Sequence, residues 1–292
     1  MNIEKQEVTI IRNEAPLDLP LIAIKRDDNN SGLDDLFGYS ASDVENTSTI
    51  EVIGSGNLPL AIYEFDKYFE KDNIDPYKIE TKLTLDHSEI DDFLEASKKY
   101  LRKMNYRSAT GAYLSWIMAN SYDFLNHNSF VLKLDQPLNF FATGLCAQKN
   151  NPIRVEVEGN LGYNCAMYSE NLKIIVEGNV DHHFGFKSKN SQSIINGNCF
   201  DEFGKYTRDF TALITGNADG FFLEGSKNTS GIIKGDCKVY PGINSTNSSI
   251  FVHKKIKKFI DCEDYLILSG NSVKDHLKYK ETMQKINEEF GL

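Results

Sequence analysis

Long apolar runs are missing from this 292-residue chain: none approaches 18 consecutive apolar residues, so no membrane-spanning helix is expected. The opening Met1-Asn2-Ile3-Glu4-Lys5-Gln6-Glu7 is charged, without an apolar segment, so no secretory signal is expected either. Cysteine is sparse. The five residues (146, 165, 199, 237 and 262) are widely spaced and form no CxxC, which excludes a disulfide framework and a zinc finger. These absences make the cytoplasm the default compartment, where the sequons at Asn46, Asn228, Asn244 and Asn247 carry no sugar. Basic charge is in deficit, 32 Lys and Arg against 42 Asp and Glu, so a nucleic-acid partner is not expected. The run Lys254-Lys255-Ile256-Lys257-Lys258 reads as a solvated strand or turn. GxSxG, P-loop and HExxH motifs are also lacking. The remaining composition, 40% hydrophobic and 25% charged, is that of a globular chain of one or two domains.

What is present is a repeat. Gly-Asn occurs at Gly159-Asn160, Gly178-Asn179, Gly197-Asn198 and Gly216-Asn217, and Gly235-Asp236 continues it, each step being 19 residues. Two residues before the glycines stand Val157, Val176, Ile195, Ile214 and Ile233; two after them stand Leu161, Val180, Cys199, Ala218 and Cys237. Six after come Cys165, Phe184, Phe203 and Phe222; seven after come Ala166, Gly185, Gly204 and Gly242, with Leu223 the one large intruder. β-Branched residues, a glycine for a positive-φ corner and a polar neighbour describe short strands joined by tight bends. One strand cannot bury its inner face, but coils stacked about 4.8 Å apart bury a continuous core. Helical repeats run near 34 residues or longer, and hexapeptide β-helices would give about 18. The reading is a parallel β-helix, with Phe184, Phe203 and Phe222 in an aromatic stack and Asn160, Asn179, Asn198 and Asn217 in an amide ladder. Cys199 and Cys237 fall in an apolar column and read as core.

The solenoid is expected at 129–271. Phe130 to Asp135 reads as the strand of a first coil with a longer turn. Gly270-Asn271 restores the motif after a shortened coil, counted from Lys254 in the place of the missing glycine. Residues 1–128 read as a small α+β domain. Its elements are strand-like Pro16 to Ile24, an acidic loop at 27–48, an apolar stretch at 50–65, a helix from Glu89 to Met104 capped by Ser88 with Asp91, and a helix from Ala109 to Leu125. Residues 272–292 read as a capping helix or, equally, a dimer contact, with Ser272 as N-cap and Val273, His276, Tyr279, Met283, Ile286 and Phe290 on one face.

One solenoid turn collects chemistry. Asp181-His182-His183 and Asp201-Glu202 lie on adjacent coils, and Asp219 shares the phase of Asp181. Stacking sets His182 against Asp201 and His183 against Glu202, where the pairs could work as acid and base or hold a divalent metal through Asp181, His182, His183 and Glu202. The plainer reading is a solvated turn. Asp27-Asp28-Asn29-Asn30-Ser31-Gly32 opens like a calcium loop, but its twelfth position is Gly38 instead of Glu. Gly54-Ser55-Gly56-Asn57 lacks the third glycine of a dinucleotide loop. No cofactor is expected.

The segment Val157 to Met167, followed by Leu172 to Asn179, resembles the glycine-repeat (GXGXG) right-handed β-helix domain family. That domain stands at the C-terminus of glutamate synthase large subunits and in one of the polypeptides of formylmethanofuran dehydrogenase. The likeness covers about 150–240, in Gly159, Gly178, Gly197, Gly216 and Gly235 and in the small residues Ala166, Gly185 and Gly204. It departs where the family's further glycines become His183, Glu202 and bulky aromatics. The resemblance implies a right-handed, non-catalytic β-helix that packs against catalytic domains or subunits, and it confers no active-site residue. Three classes of function stay open: an assembly module binding another protein or a second copy, an enzyme acting on a carbohydrate or small molecule, and a self-associating scaffold.

Overall fold

The computed structural model describes residues 57–69, 74–257, 265–270, 273–274 and 276–292. The strand expected at 16–24, the acidic loop with its calcium-loop-like opening, Gly54 to Gly56, Cys262 and the Ser272 cap lie outside these residues. The chain forms helices α1 (Leu58–Phe69), α2 (His87–Ser97) and α3 (Tyr106–Leu125), then a parallel β-solenoid. Its strands are β1 (Ser129–Lys133), β2 (Ile153–Glu158), β3 (Leu172–Glu177), β4 (Gln192–Ile195), β5 (Thr211–Ile214), β6 (Ala218–Phe221), β7 (Ser230–Ile233), β8 (Cys237–Val239), β9 (Ser248–Val252) and β10 (Tyr265–Ser269). Helix α4 (Leu277–Phe290) follows.

Eight strands make one parallel sheet in the order β1-β2-β3-β4-β5-β7-β9-β10, and β6 pairs with β8 on a second side. Val157, Val176, Ile195, Ile214, Ile233 and Val252 are direct neighbours at the repeat spacing, and all are fully buried. Single-residue bridges through Leu138, Leu161, Val180, Cys199, Ala218, Cys237 and Ile256, and through Cys146, Glu170, Lys189, Arg208, Lys227 and Thr246, mark the other two sides. The entering coil is longer than the rest, since Leu132 pairs with Val157. The last coil is shortened as expected, but by one place less: Ser269 pairs with Val252, so Gly270 stands one place ahead of the glycine column.

Three ladders run along the axis. Phe184, Phe203 and Phe222 stack at 5.2 Å and 10°. Each Asn carboxamide oxygen accepts the backbone N–H of the next coil: Asn160 from Asn179 (2.7 Å), Asn179 from Asn198 (2.8 Å), Asn198 from Asn217 (2.8 Å) and Asn217 from Asp236 (2.8 Å). Asp236 then accepts from Lys255 at 3.1 Å. A third, unforeseen column of buried hydroxyls, Ser169, Ser188, Thr207, Ser226 and Ser245, ties the third corner, with Ser188 Oγ donating to Gly185 O at 2.8 Å.

The repeated glycines mostly serve a purpose other than the expected positive-φ corner. Gly159, at the head of the column, alone has a positive φ (130°). Gly178, Gly197, Gly216 and Gly235 do not; the other positive values fall on alternate residues further along, such as His183 (61°), Gly185 (69°) and Lys187 (55°). What the whole column shares is close approach. A Cβ on Gly197 would lie 2.6 Å from the Gly178 carbonyl carbon and 2.9 Å from Asn179 Oδ1, and one on Gly159 would lie 2.5 Å from the Leu134 carbonyl oxygen. Backbone therefore rests on backbone at this edge.

Before residue 129 the described residues contain helices and no strand. Helix α2 starts earlier than expected because Asp86, not Ser88, is its cap, and it stops at Ser97, where a 3-10 turn over Lys98–Tyr100 follows. Glu89 N–H donates to Asp86 Oδ1 (2.9 Å) and Asp86 N–H to Glu89 Oε2 (3.0 Å). The N–H hydrogen bond from Glu89 holds the Asp86 carboxyl below its ordinary range. Helix α3 is buried nearly all round. On one side it meets the Phe65, Phe93 and Tyr113 ring cluster, with centroids 5.0–5.3 Å apart. On the other it seals the first coil: Ser115 Oγ donates to Phe140 O (3.1 Å), Tyr122 Oη to Asn151 O (2.9 Å) and Gln148 N–H to Tyr122 Oη (2.9 Å). One apolar core continues from these helices into the solenoid.

Helix α4 is present but differs from a lid over the last coil. It begins at Leu277, with Val273 and His276 ahead of it, and lies across the outer face of the main sheet. There Ile194, Leu213, Ile232 and Phe251 form an outward apolar stripe that packs with Tyr279, Met283, Ile286 and Phe290. Lys173 of β3 forms an ion pair with Glu289 at the far end of the helix.

The two kinds of glycine separate by mutation. Gly197→Ala forces backbone apart and should cost about 1–3 kcal/mol. At Gly185 the nearest atom to a Cβ is 3.4 Å away, so Gly185→Ala carries only left-handed strain, about 1 kcal/mol. Urea unfolding of both variants tests this ranking, and the reverse order would return the corner role to the Gly-Asn column.

Candidate functional site

The turn after the bridge residue Val180 carries the acidic and imidazole groups, and the coil stacking decides their partners. Asn164, His183 and Glu202 are 19 residues apart and form one column. His183 Nδ1 meets Asn164 Oδ1 at 3.0 Å and its Nε2 meets Glu202 Oε2 at 2.6 Å. Lys205 joins Glu202 Oε1 (2.6 Å) to Glu224 Oε2 (3.1 Å), so His183, Glu202, Lys205 and Glu224 form a chain of alternating polarity up three coils. Burial by itself would lower the Lys205 pKa, but the carboxylates of Glu202 and Glu224 outweigh it and hold the ammonium above its ordinary range.

The His183–Glu202 pairing expected from the repeat is present, whereas the His182–Asp201 pairing is not. His182 turns to Asp181 of its own coil, and its ring stacks on Phe200 at 6.2 Å and 17°. Asp201 Oδ1 instead accepts two backbone N–H groups, from Glu202 and Phe221, at 2.9 Å each. Gly220, in phase with Asp201, makes room for this: a Cβ there would lie 2.5 Å from the Asp201 carboxyl carbon. Asp219 pairs with Lys238 of the next coil at 2.6 Å instead of joining Asp181.

Asp181, His182, His183 and Glu202 thus split between two pairs, and among the described residues no three His, Cys, Asp or Glu side chains gather where a metal could be held. The sequence reading missed Asn164, Lys205 and Glu224, although the same 19-residue phase marks Asn164 with His183 and Lys205 with Glu224. Phe200 (40% exposed) and Tyr163 (42% exposed) leave aromatic faces open on this edge.

The three buried thiols are not poised for attack. Burial pushes Cys165 and Cys237 up to about 12 and Cys199 well above its usual value. In the helical cap, Tyr113 Oη donates to Glu64 Oε2 at 2.8 Å and burial drives its pKa far above the phenol range. Among the described residues no helix is long and apolar enough to cross a membrane.

The pairings predict unequal responses. Glu202→Gln weakens hydrogen bonds to a mostly covered Lys205 and should cost about 1 kcal/mol or more. His182→Ala removes an exposed side chain and should change stability by less than about 0.5 kcal/mol. Thermal melts should show this difference and no shift with added Zn²⁺; a Zn²⁺-dependent rise lost in His182→Ala would restore the metal reading.

Comparison of the chain with known protein families, with curated proteins and with solved structures returned no match.

Proposed function

We propose that this chain is a non-catalytic β-solenoid that serves as an assembly module, binding another protein or a second copy of itself through an outer face. The observation that carries the reading is the state of the candidate edge. Glu202 is engaged by His183 and Lys205, Asp201 by two backbone amides, and Asp219 by Lys238. Carboxylates held this way stabilise a surface and are poorly placed to shuttle protons. The net charge of −10 favours a protein partner over nucleic acid. The resemblance to glycine-repeat domains, whose role is to pack against other subunits, points the same way. Buried free thiols at Cys165, Cys199 and Cys237 fit a reducing compartment such as the cytoplasm.

An enzyme or binder of carbohydrate at this edge is the second reading, favoured by the exposed Phe200 and Tyr163 rings beside Asp181 and His182. Open end-to-end stacking is disfavoured because α3 seals the first coil.

Purification from native cells under gentle conditions tests the first reading. The chain should migrate well above its own 33.1 kDa, in a complex whose other component is identifiable. Migration as a lone monomer, together with binding to a soluble glycan that is lost in a Phe200→Ala variant, would favour the second.

A further inference from the structure

The outward apolar stripe of β4, β5, β7 and β9 is covered by α4 alone among the described elements, and two imidazoles sit at the end of that contact where the helix begins. His253, just beyond β9, packs on the Tyr279 ring at 5.3 Å. His276, the N-cap residue of α4, packs on Phe251 at 6.0 Å, and its side chain makes no capping hydrogen bond. His253 Nε2 and His276 Nδ1 are shielded from water and have no hydrogen-bond partner among the described residues.

The charges that act on His253 are of one sign. Lys234, beyond β7, and Lys274, in the short turn before α4, both act on His253. Lys278 and Lys280 stand near the start of α4, and its first turn holds no acidic residue. The positive end of the helix dipole lies here as well. Tyr279 remains a neutral phenol, its pKa raised by burial. Asp275, next to His276 in sequence, lies outside the described residues.

We infer that α4 is a pH-gated strap: protonation of His253 in mild acid releases its N-terminal half and uncovers the apolar stripe beneath. Among the described residues, a proton on His253 enters a contact that offers its Nε2 no acceptor and already carries Lys234, Lys274 and the helix N-terminus. Burial, then Lys274 and Lys234, hold the His253 pKa below its ordinary value of about 6.5 while the helix is docked. The released state regains the ordinary value and binds more protons. Docking is therefore strongest above about pH 6.5 and weakens as pH falls below it, by up to about tenfold per pH unit.

Hydrogen exchange on the full chain at pH 7.5 and 5.5, corrected for intrinsic rates, tests the strap. Amides of 277–283, the N-terminal half of α4, should lose at least about fivefold in protection at pH 5.5, while those of 172–177 keep theirs. His253→Phe should keep α4 protected at pH 5.5. Ile286→Asp marks the released state at both pH values. Unchanged or greater protection of α4 at pH 5.5 would overturn the inference. So would an equal loss in strand β3, which is global acid unfolding, or an undiminished acid loss in the His253→Phe variant.

Discussion

Everything in this molecule depends on how closely one coil can lie on the next. At the Gly-Asn edge the approach is set by two backbones with no side chain between them, and the carboxamide beside each glycine closes the gap by accepting the next coil's N–H. A net hydrogen bond of this kind contributes only about 0.5–1.5 kcal/mol. Its importance lies in repetition, because the same contact fixes the phase of every other column. Once Asn179 and Asn198 are in register, Phe184 and Phe203 face each other, and so do Val180 and Cys199.

A stack held this way has two vulnerable surfaces, its ends and any side face that is apolar. At the first end α3 answers the carbonyls of Phe140 and Asn151 with Ser115 and Tyr122. Its unusual burial follows from lying between a coil and a layer of aromatic rings. The side face is handled differently. Ile194, Leu213, Ile232 and Phe251 point outward, away from the core formed by Ile195, Ile214, Ile233 and Val252, and α4 supplies the missing partner surface.

The repeat was legible because solenoid contacts join residues at a constant separation. The Phe and Asn ladders and the His183–Glu202 pair could be placed from spacing alone. What spacing could not show was direction. His182 and Asp201 share a phase, yet Asp201 folds back onto amides because Gly220 leaves space for it. The glycine column was legible as a column, but close contact and a left-handed corner leave the same mark in sequence, and within that column Gly159 alone combines the two. The apolar residues three before each glycine, Ile175, Ile194, Leu213 and Ile232, were a readable sign of a second covered face. Passing over them left α4 assigned to an end instead of a side. The Asp86 cap was obscured by Ser88, an equally good capping residue two positions later.

The placement of α4 also makes it a measure of length. Its 14 residues span about 21 Å, and the contacts from Tyr279 on Phe251 to Glu289 on Lys173 cross from β9 to β3, four strand spacings or about 19 Å. Duplicating a 19-residue coil would preserve the Gly-Asn contacts, because these coils meet one another in the same register there. The helix cannot follow such a change in step, since one coil more would carry Lys173 beyond the reach of Glu289. Between β3 and β9 the number of coils is thus counted by a ruler of fixed length, and a chain that repeats freely elsewhere is held there to one size.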